Sequence, residues 1–102
     1  MNTIAAVGQN VTLVCNPSVE GPVNWWFKDE LGTEETEVVV NGELVNGNIH
    51  RMTLSGHDLV IHNVFPNDTG MYTCVEDTGF GKHHKMFLTV SGFGFYSYRE
   101  YC

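Results

Sequence analysis

Basic residues are scarce. Five Lys and Arg stand against twelve Asp and Glu, for a net charge of −7. Binding to nucleic acid relies on clustered cations that displace counterions from phosphates, so no nucleic-acid partner is expected, nor an anionic membrane surface. The plain consequence of the acidity is solubility. No apolar run reaches the roughly 18 residues of a spanning helix, and no signal peptide is recognisable. Met1 runs at once into strand-like sequence, and the chain is read as an ectodomain fragment of a longer, membrane-anchored or secreted protein. No amphipathic helical period and no internal repeat appears. A length of 102 residues leaves no room for a second domain. Phosphate-binding loops are missing too: Gly79 and Gly81 fit a hairpin tip that needs positive φ. Ser55, His57 and Asp58 lie close together, but no nucleophile elbow or oxyanion-hole motif accompanies them, so they read as a polar turn. Among the five histidines, His50, His57 and His62 lack a companion at metal-ligand spacing. His83 and His84 are adjacent, and on a strand they point to opposite faces. No catalytic residue, metal, cofactor or small-molecule substrate is expected, and the chain is not read as an enzyme.

What the sequence does contain is short β-patterned stretches joined by turns, with 11 glycines and 42% hydrophobic residues. Residues 4–7 read as an edge strand ended by Gly8. Val11, Leu13 and Cys15 alternate with Thr12 and Val14, and Asn16-Pro17-Ser18 breaks that strand. The stretch 23–28 is a strand with two possible faces. Val23, Trp25 and Phe27 turned inward bury three apolar side chains. Asn24, Trp26 and Lys28 turned inward bury an amide and an ammonium, each costly without partners. Trp25 is therefore taken as the core residue, with Trp26 as the alternative. An acidic connection, 29–37, leads to Val38-Val39-Val40. Asn41-Gly42 is a strong two-residue hairpin signal, and 43–45 returns as a strand. Residues 50–54 are a candidate strand. Leu59, Ile61 and Val64 carry the buried face of the next, and Met86, Leu88 and Val90 alternate in the last. Between them, Asp68, Gly70, Tyr72 and Cys74 recur with period two, which puts Gly70, Tyr72 and Cys74 on one strand face.

Cys15, Trp25, Leu59 and Asp68-x-Gly70-x-Tyr72-x-Cys74 together resemble the immunoglobulin superfamily, over residues 4–90. The resemblance implies an all-β, immunoglobulin-like sandwich with Greek-key connections and two antiparallel sheets joined by one disulfide, Cys15–Cys74. A lysine two residues after the core tryptophan, common in the family, fits Trp26 instead of Trp25. Two strands between 38 and 45 resemble the variable (V) set. The resemblance also implies a tyrosine corner at Tyr72 and a bidentate Arg51–Asp68 ion pair at the sandwich base. The V-set domain is taken as 1–91, and 92–102 as an aromatic, glycine-rich tail or linker. A disulfide implies an oxidising, extracellular compartment, on a cell surface or in secretion.

Adhesion and immune-type receptors of this family dock protein partners. The sheet labelled G, F, C and C′ in the family is where such a partner, or a second copy of the domain, is expected. By parity Trp26, Thr73, Val75 and Phe87 point outward there as an apolar patch, with Lys82 and His83 on a basic rim. Alternative readings are a structural spacer within a larger ectodomain and an antigen-receptor-like domain that binds through its loop tips. Asn10-Val11-Thr12 and Asn67-Asp68-Thr69 are glycan acceptor triplets, at Asn10 and Asn67. Cys102 is the odd cysteine. Non-reducing electrophoresis should show some dimer that collapses on reduction, and a single monomer band with one titratable thiol would instead assign its mate to sequence elsewhere in the protein.

Overall fold

A computed structural model describes residues 2–18, 20–32 and 34–92. The aromatic tail and Cys102 lie outside the described residues. Nine strands form two sheets: β1 (Asn2–Ala6), β2 (Val11–Leu13), β3 (Asn24–Asp29), β4 (Thr36–Val40), β5 (Glu43–Leu44), β6 (Met52–Ser55), β7 (Asp58–Ile61), β8 (Gly70–Val75) and β9 (His83–Ser91). The larger sheet has the order β1-β9-β8-β3-β4-β5, and the smaller β2-β7-β6. The chain changes sheets between β1 and β2, β2 and β3, β5 and β6, and β7 and β8, which is the expected sandwich connectivity. Pairing is antiparallel except at the edge, where β1 runs parallel to β9. Gly8, with φ 92, then turns the chain toward the smaller sheet.

Trp25 is fully buried, with Leu59, Ile61, Val64 and Leu88 around it, and Trp26 faces the other way. The Trp25 indole N–H donates to the carbonyl of His57 at 3.0 Å, so its one polar atom is satisfied. Beside it, Cys15 and Cys74 are bonded across the sheets over a sequence separation of 59. In the chain-entropy model a loop of that size stabilises the fold by about 4 kcal/mol. Phe27 packs on Tyr72 with ring centroids 4.6 Å apart. Residues 50–54 differ from a continuous strand: Asn48–His50 forms a 3-10 turn and β6 starts at Met52. Gly47, at φ 78, sets up that turn.

A bulge shapes the strands between Trp25 and Trp26. Trp25 pairs with Val39, but Trp26 pairs with Glu37, leaving Val38 as an extra residue of β4. Val38 and Val39 are therefore both buried, while Glu37 stays exposed. Gly70 is required by close approach: a Cβ there would lie 2.3 Å from the Lys28 carbonyl oxygen.

The base of the sandwich is tied together by Asp68. Its carboxylate accepts from both terminal nitrogens of Arg51, at 3.0 and 2.8 Å, and from the Phe65 N–H at 2.8 Å. Its carbonyl accepts the Tyr72 hydroxyl at 2.8 Å. Burial pushes the Tyr72 phenol above its ordinary pKa, so it remains a donor. The opposite end is tied by Glu76, whose carboxylate is almost fully buried. It accepts from His84 Nε2 at 2.5 Å and from Ser18 Oγ at 2.9 Å. The His84 hydrogen bond, against the opposing effect of burial, holds the Glu76 carboxyl at about 2.

Two stability measurements follow. Arg51 keeps 42% of its side chain exposed while Asp68 keeps 7%. Removing the arginine (Arg51→Met) should then cost about 1 kcal/mol, and Asp68→Ala, which orphans a backbone donor as well, about 3 kcal/mol. Urea denaturation ranks them, and the reverse order would contradict the hub role of Asp68. For Glu76 the folded pKa is depressed, so its contribution is present above the ordinary carboxylate value and is lost as pH falls toward about 2. Glu76→Gln should be less stable than the parent at pH 6, and the gap should close between pH 4.5 and pH 2. A pH-independent gap would show that the carboxylate charge is not what the site uses.

Candidate functional site

The outer face of the larger sheet is built by strand parity. Because Trp25, Cys74 and Met86 point inward, Trp26, Thr73 and Lys85 point outward. Register places Glu37, Trp26, Thr73 and Lys85 in one row across β4, β3, β8 and β9. The next row holds Lys28, Met71 and Phe87, with Asn2 at the edge. The row on the other side holds Asn24, Val75 and His83. Trp26, Met71 and Phe87 are half-buried, and Glu37, Lys82, His83 and Lys85 are exposed.

Thr73 and Val75 require a correction. They lie on the outward side of β8 but have no usable surface, at 1% and 0% exposure. The cause is a roof of rings. Strands β3 and β9 flank β8 and so lie about 9.6 Å apart, twice the usual spacing. Yet the Trp26 and His83 ring centroids are 6.0 Å apart, edge to face at 79°. The two side chains lean toward each other over β8, and the residues beneath lose contact with solvent. The Thr73 hydroxyl finds no hydrogen-bond partner there, a cost of about 1–3 kcal/mol. The patch is therefore an aromatic pair with Phe87 and Met71 beside it, and Val75 contributes to its foundation only.

Charge flanks this centre on opposite sides. Beyond Trp26 a shallow groove of about 270 Å³ is lined by Trp26, Glu35 and Glu37. Beyond β8 stand Lys85, His83 and, at the hairpin tip, Lys82. Among the described residues the ion pairs are Arg51–Asp68 and His84–Glu76. No ion pair among the described residues joins the acidic rim to the basic one.

Asn24 and Glu76 were not singled out from the sequence. Asn24 is buried on the outward face, where a lone amide would be costly, but it has partners. Its Oδ1 accepts the Asn41 N–H at 2.8 Å and its Nδ2 donates to the Thr78 carbonyl at 3.4 Å. It joins the turn after β4 to the turn after β8. Asp77 and Thr78 both have positive φ, 54 and 50, and the Gly79 N–H donates to the Glu76 carbonyl at 3.1 Å. This tight turn projects Phe80, 87% exposed. A strand asparagine next to a core tryptophan was the available signal.

The histidines go separate ways. His83 packs on Trp26, His84 on Glu76, His62 on Thr53 Oγ1 at 2.8 Å, and His57 on the Gly21 carbonyl at 2.9 Å. Asp58 accepts the Cys15 N–H at 2.9 Å, so Ser55, His57 and Asp58 form no hydrogen-bonded chain. Among the described residues no three His, Cys, Asp or Glu side chains converge as metal ligands.

Known proteins with this arrangement agree on the fold. The chain is 32% identical over 84 residues to hemicentin-1 of Homo sapiens, covering 79% of this chain and 1% of that protein. The four amino-terminal immunoglobulin domains of Dscam1 isoform 6.9 superpose with a TM-score of 0.67 at 21% identity, over 89% of this chain and 22% of that one. The extracellular domain of the voltage-gated sodium channel β4 subunit, a parallel homodimer with a role in cell–cell adhesion, gives 0.65 at 21% identity, over 90% and 91%. The chain thus spans about one hundredth of the length of the curated relative it matches. The Cys15–Cys74 disulfide fits the oxidising, extracellular setting in which such bonds persist. The family described as "Immunoglobulin domain" matches residues 1–77, and with the inter-sheet disulfide, the buried Trp25 and the Tyr72 corner in place, the chain belongs to the immunoglobulin-domain family.

Proposed function

We propose that this domain is the protein-binding module of a cell-surface adhesion or immune-type receptor, of the variable type, and that it docks a second copy of itself through the outer face of β4, β3, β8 and β9. One observation carries the reading: the row Glu37, Trp26, Thr73, Lys85 sets opposite charges on the two sides of an aromatic centre, and neither charge has an ion-pair partner among the described residues. A two-fold interface presents the same patch twice. With the axis along the strands, β4 of one copy lies over β9 of the other. Glu35 and Glu37 then meet Lys85 and Lys82, and Trp26 meets the opposing aromatic centre. An axis across the strands would stack β4 on β4 and oppose like charges. The charges therefore favour the parallel arrangement. They set orientation and encounter rate, and the rings supply most of the affinity.

A second reading has its own observation. Phe80 stands almost free on a turn held by Asn24, which suits binding through the loop tips. A spacer role in a longer array is supported by the small share of hemicentin-1 and Dscam1 that the chain spans.

Sedimentation over a concentration series tests the docking face. Wild type should dimerise, and Trp26→Ala should weaken the dimer at least tenfold. Glu37→Lys should weaken it several-fold at low salt, and adding Lys85→Glu should restore it. Phe80→Ala should leave it unchanged. Monomeric wild type up to millimolar concentration would overturn self-docking, and sensitivity to Phe80→Ala alone would favour the loop tips.

A further inference from the structure

The chain carries two Asn-x-Thr triplets with a non-proline centre, at Asn10 and Asn67, and folding treats them in opposite ways. Asn67 lies inside the 3-10 turn Pro66–Asp68. Its middle residue, Asp68, is buried in the ion pair with Arg51. Its Thr69 is buried, and Thr69 Oγ1 accepts the Val90 N–H at 2.9 Å. The completed fold thus buries the second and third residues of that triplet, although Asn67 itself is exposed.

Asn10 stays open. It is exposed on the turn before β2, and Thr12 is exposed on β2 itself. Its Oδ1 accepts the Asn63 N–H at 3.0 Å, which holds the amide with its oxygen engaged. Its Nδ2, the atom to which a sugar is joined, hydrogen-bonds to nothing among the described residues. The position has a second property. β2 pairs with β7 on one side only, so it is an edge strand of the smaller sheet. Val14 just beyond it is 45% exposed. Unpaired, partly apolar edges template pairing with other chains and are usually covered or charged, and no charged residue lies between Asn10 and Val14.

We propose that Asn10 carries an N-linked glycan, which stands over the open edge of β2 and away from the face bearing Trp26. The donor is an oligosaccharide on a lipid diphosphate in the secretory pathway. The bond from Asn10 Nδ2 to the first sugar carbon forms as that carbon's bond to the diphosphate oxygen breaks. Nδ2 gives up one proton, and the lipid diphosphate leaves.

The test is intact mass of the chain secreted from a eukaryotic cell as the Asn67→Gln variant, which leaves Asn10-Val11-Thr12 as the sole acceptor triplet. A mass excess of one oligosaccharide is expected. Enzymatic release in heavy-oxygen water should leave a labelled aspartate at position 10. Thr12→Ala, an exposed change that keeps the Asn10–Asn63 contact, should abolish the excess. Secreted, folded Asn67→Gln protein with an unmodified peptide at Asn10 would overturn the proposal, as would an excess that survives Thr12→Ala.

Discussion

The pleat of β8 is the constraint from which the remaining structure follows. A strand residue has only two faces available, and β8 runs fourth from one edge and third from the other in the larger sheet. Inward it sends Tyr72 and Cys74, so it both anchors the tyrosine corner and closes the disulfide. Outward it sends Thr73 and Val75, over which Trp26 and His83 lean. Each end of the strand is held by a carboxylate just outside it: Asp68 before Gly70 and Glu76 after Val75. These two groups differ in purpose. Asp68 joins the base turn to Arg51, just before β6, whereas Glu76 joins the hairpin to Ser18 in the loop after β2.

Most of the fold was legible because it rests on spacing. Asp68, Gly70, Tyr72 and Cys74 at intervals of two name a strand, its inner face and its corner. The family resemblance then supplied a place for Cys15, and the structure decided between Trp25 and Trp26 for the core. Asn41-Gly42 announced its hairpin, and the structure shows φ of 54 and 82 there. The 3-10 turn at Asn48–His50 is not visible in the alternation of 50–54, because it depends on the positive φ of Gly47 and carries no apolar period of its own.

The candidate site was legible in direction but not in exposure. Parity correctly turned Trp26, Thr73, Val75 and Phe87 to one side. It says nothing about how far neighbouring side chains lean, and that lean is what buries Thr73 and Val75. Asn24 shows the same limit from the other side. A buried amide looked costly in isolation, and only the fold brings Asn41 and Thr78 to within reach of it. Burial of a polar group is a property of its partners, and those partners lie 17 and 54 residues away.

The bulge at Val38 has a consequence for how this domain can change length. Upstream of it, β4 counts residues one step out of phase with its continuation toward Asn41. A regular pairing through the same strands would set Val38 opposite Trp26 and carry Glu37 to the inner side beside Phe27. Loss of the extra residue alone would straighten the ladder and leave Glu37 opposite Trp26, whereas loss of any further residue would exchange the faces of the acidic half, putting a carboxylate against the core. The connection at 29–35 lies outside that ladder, so gains and losses of residues there leave the phase intact. Among relatives that keep the acidic rim, length variation should collect in that connection, and β4 should differ by no more than the one bulged residue.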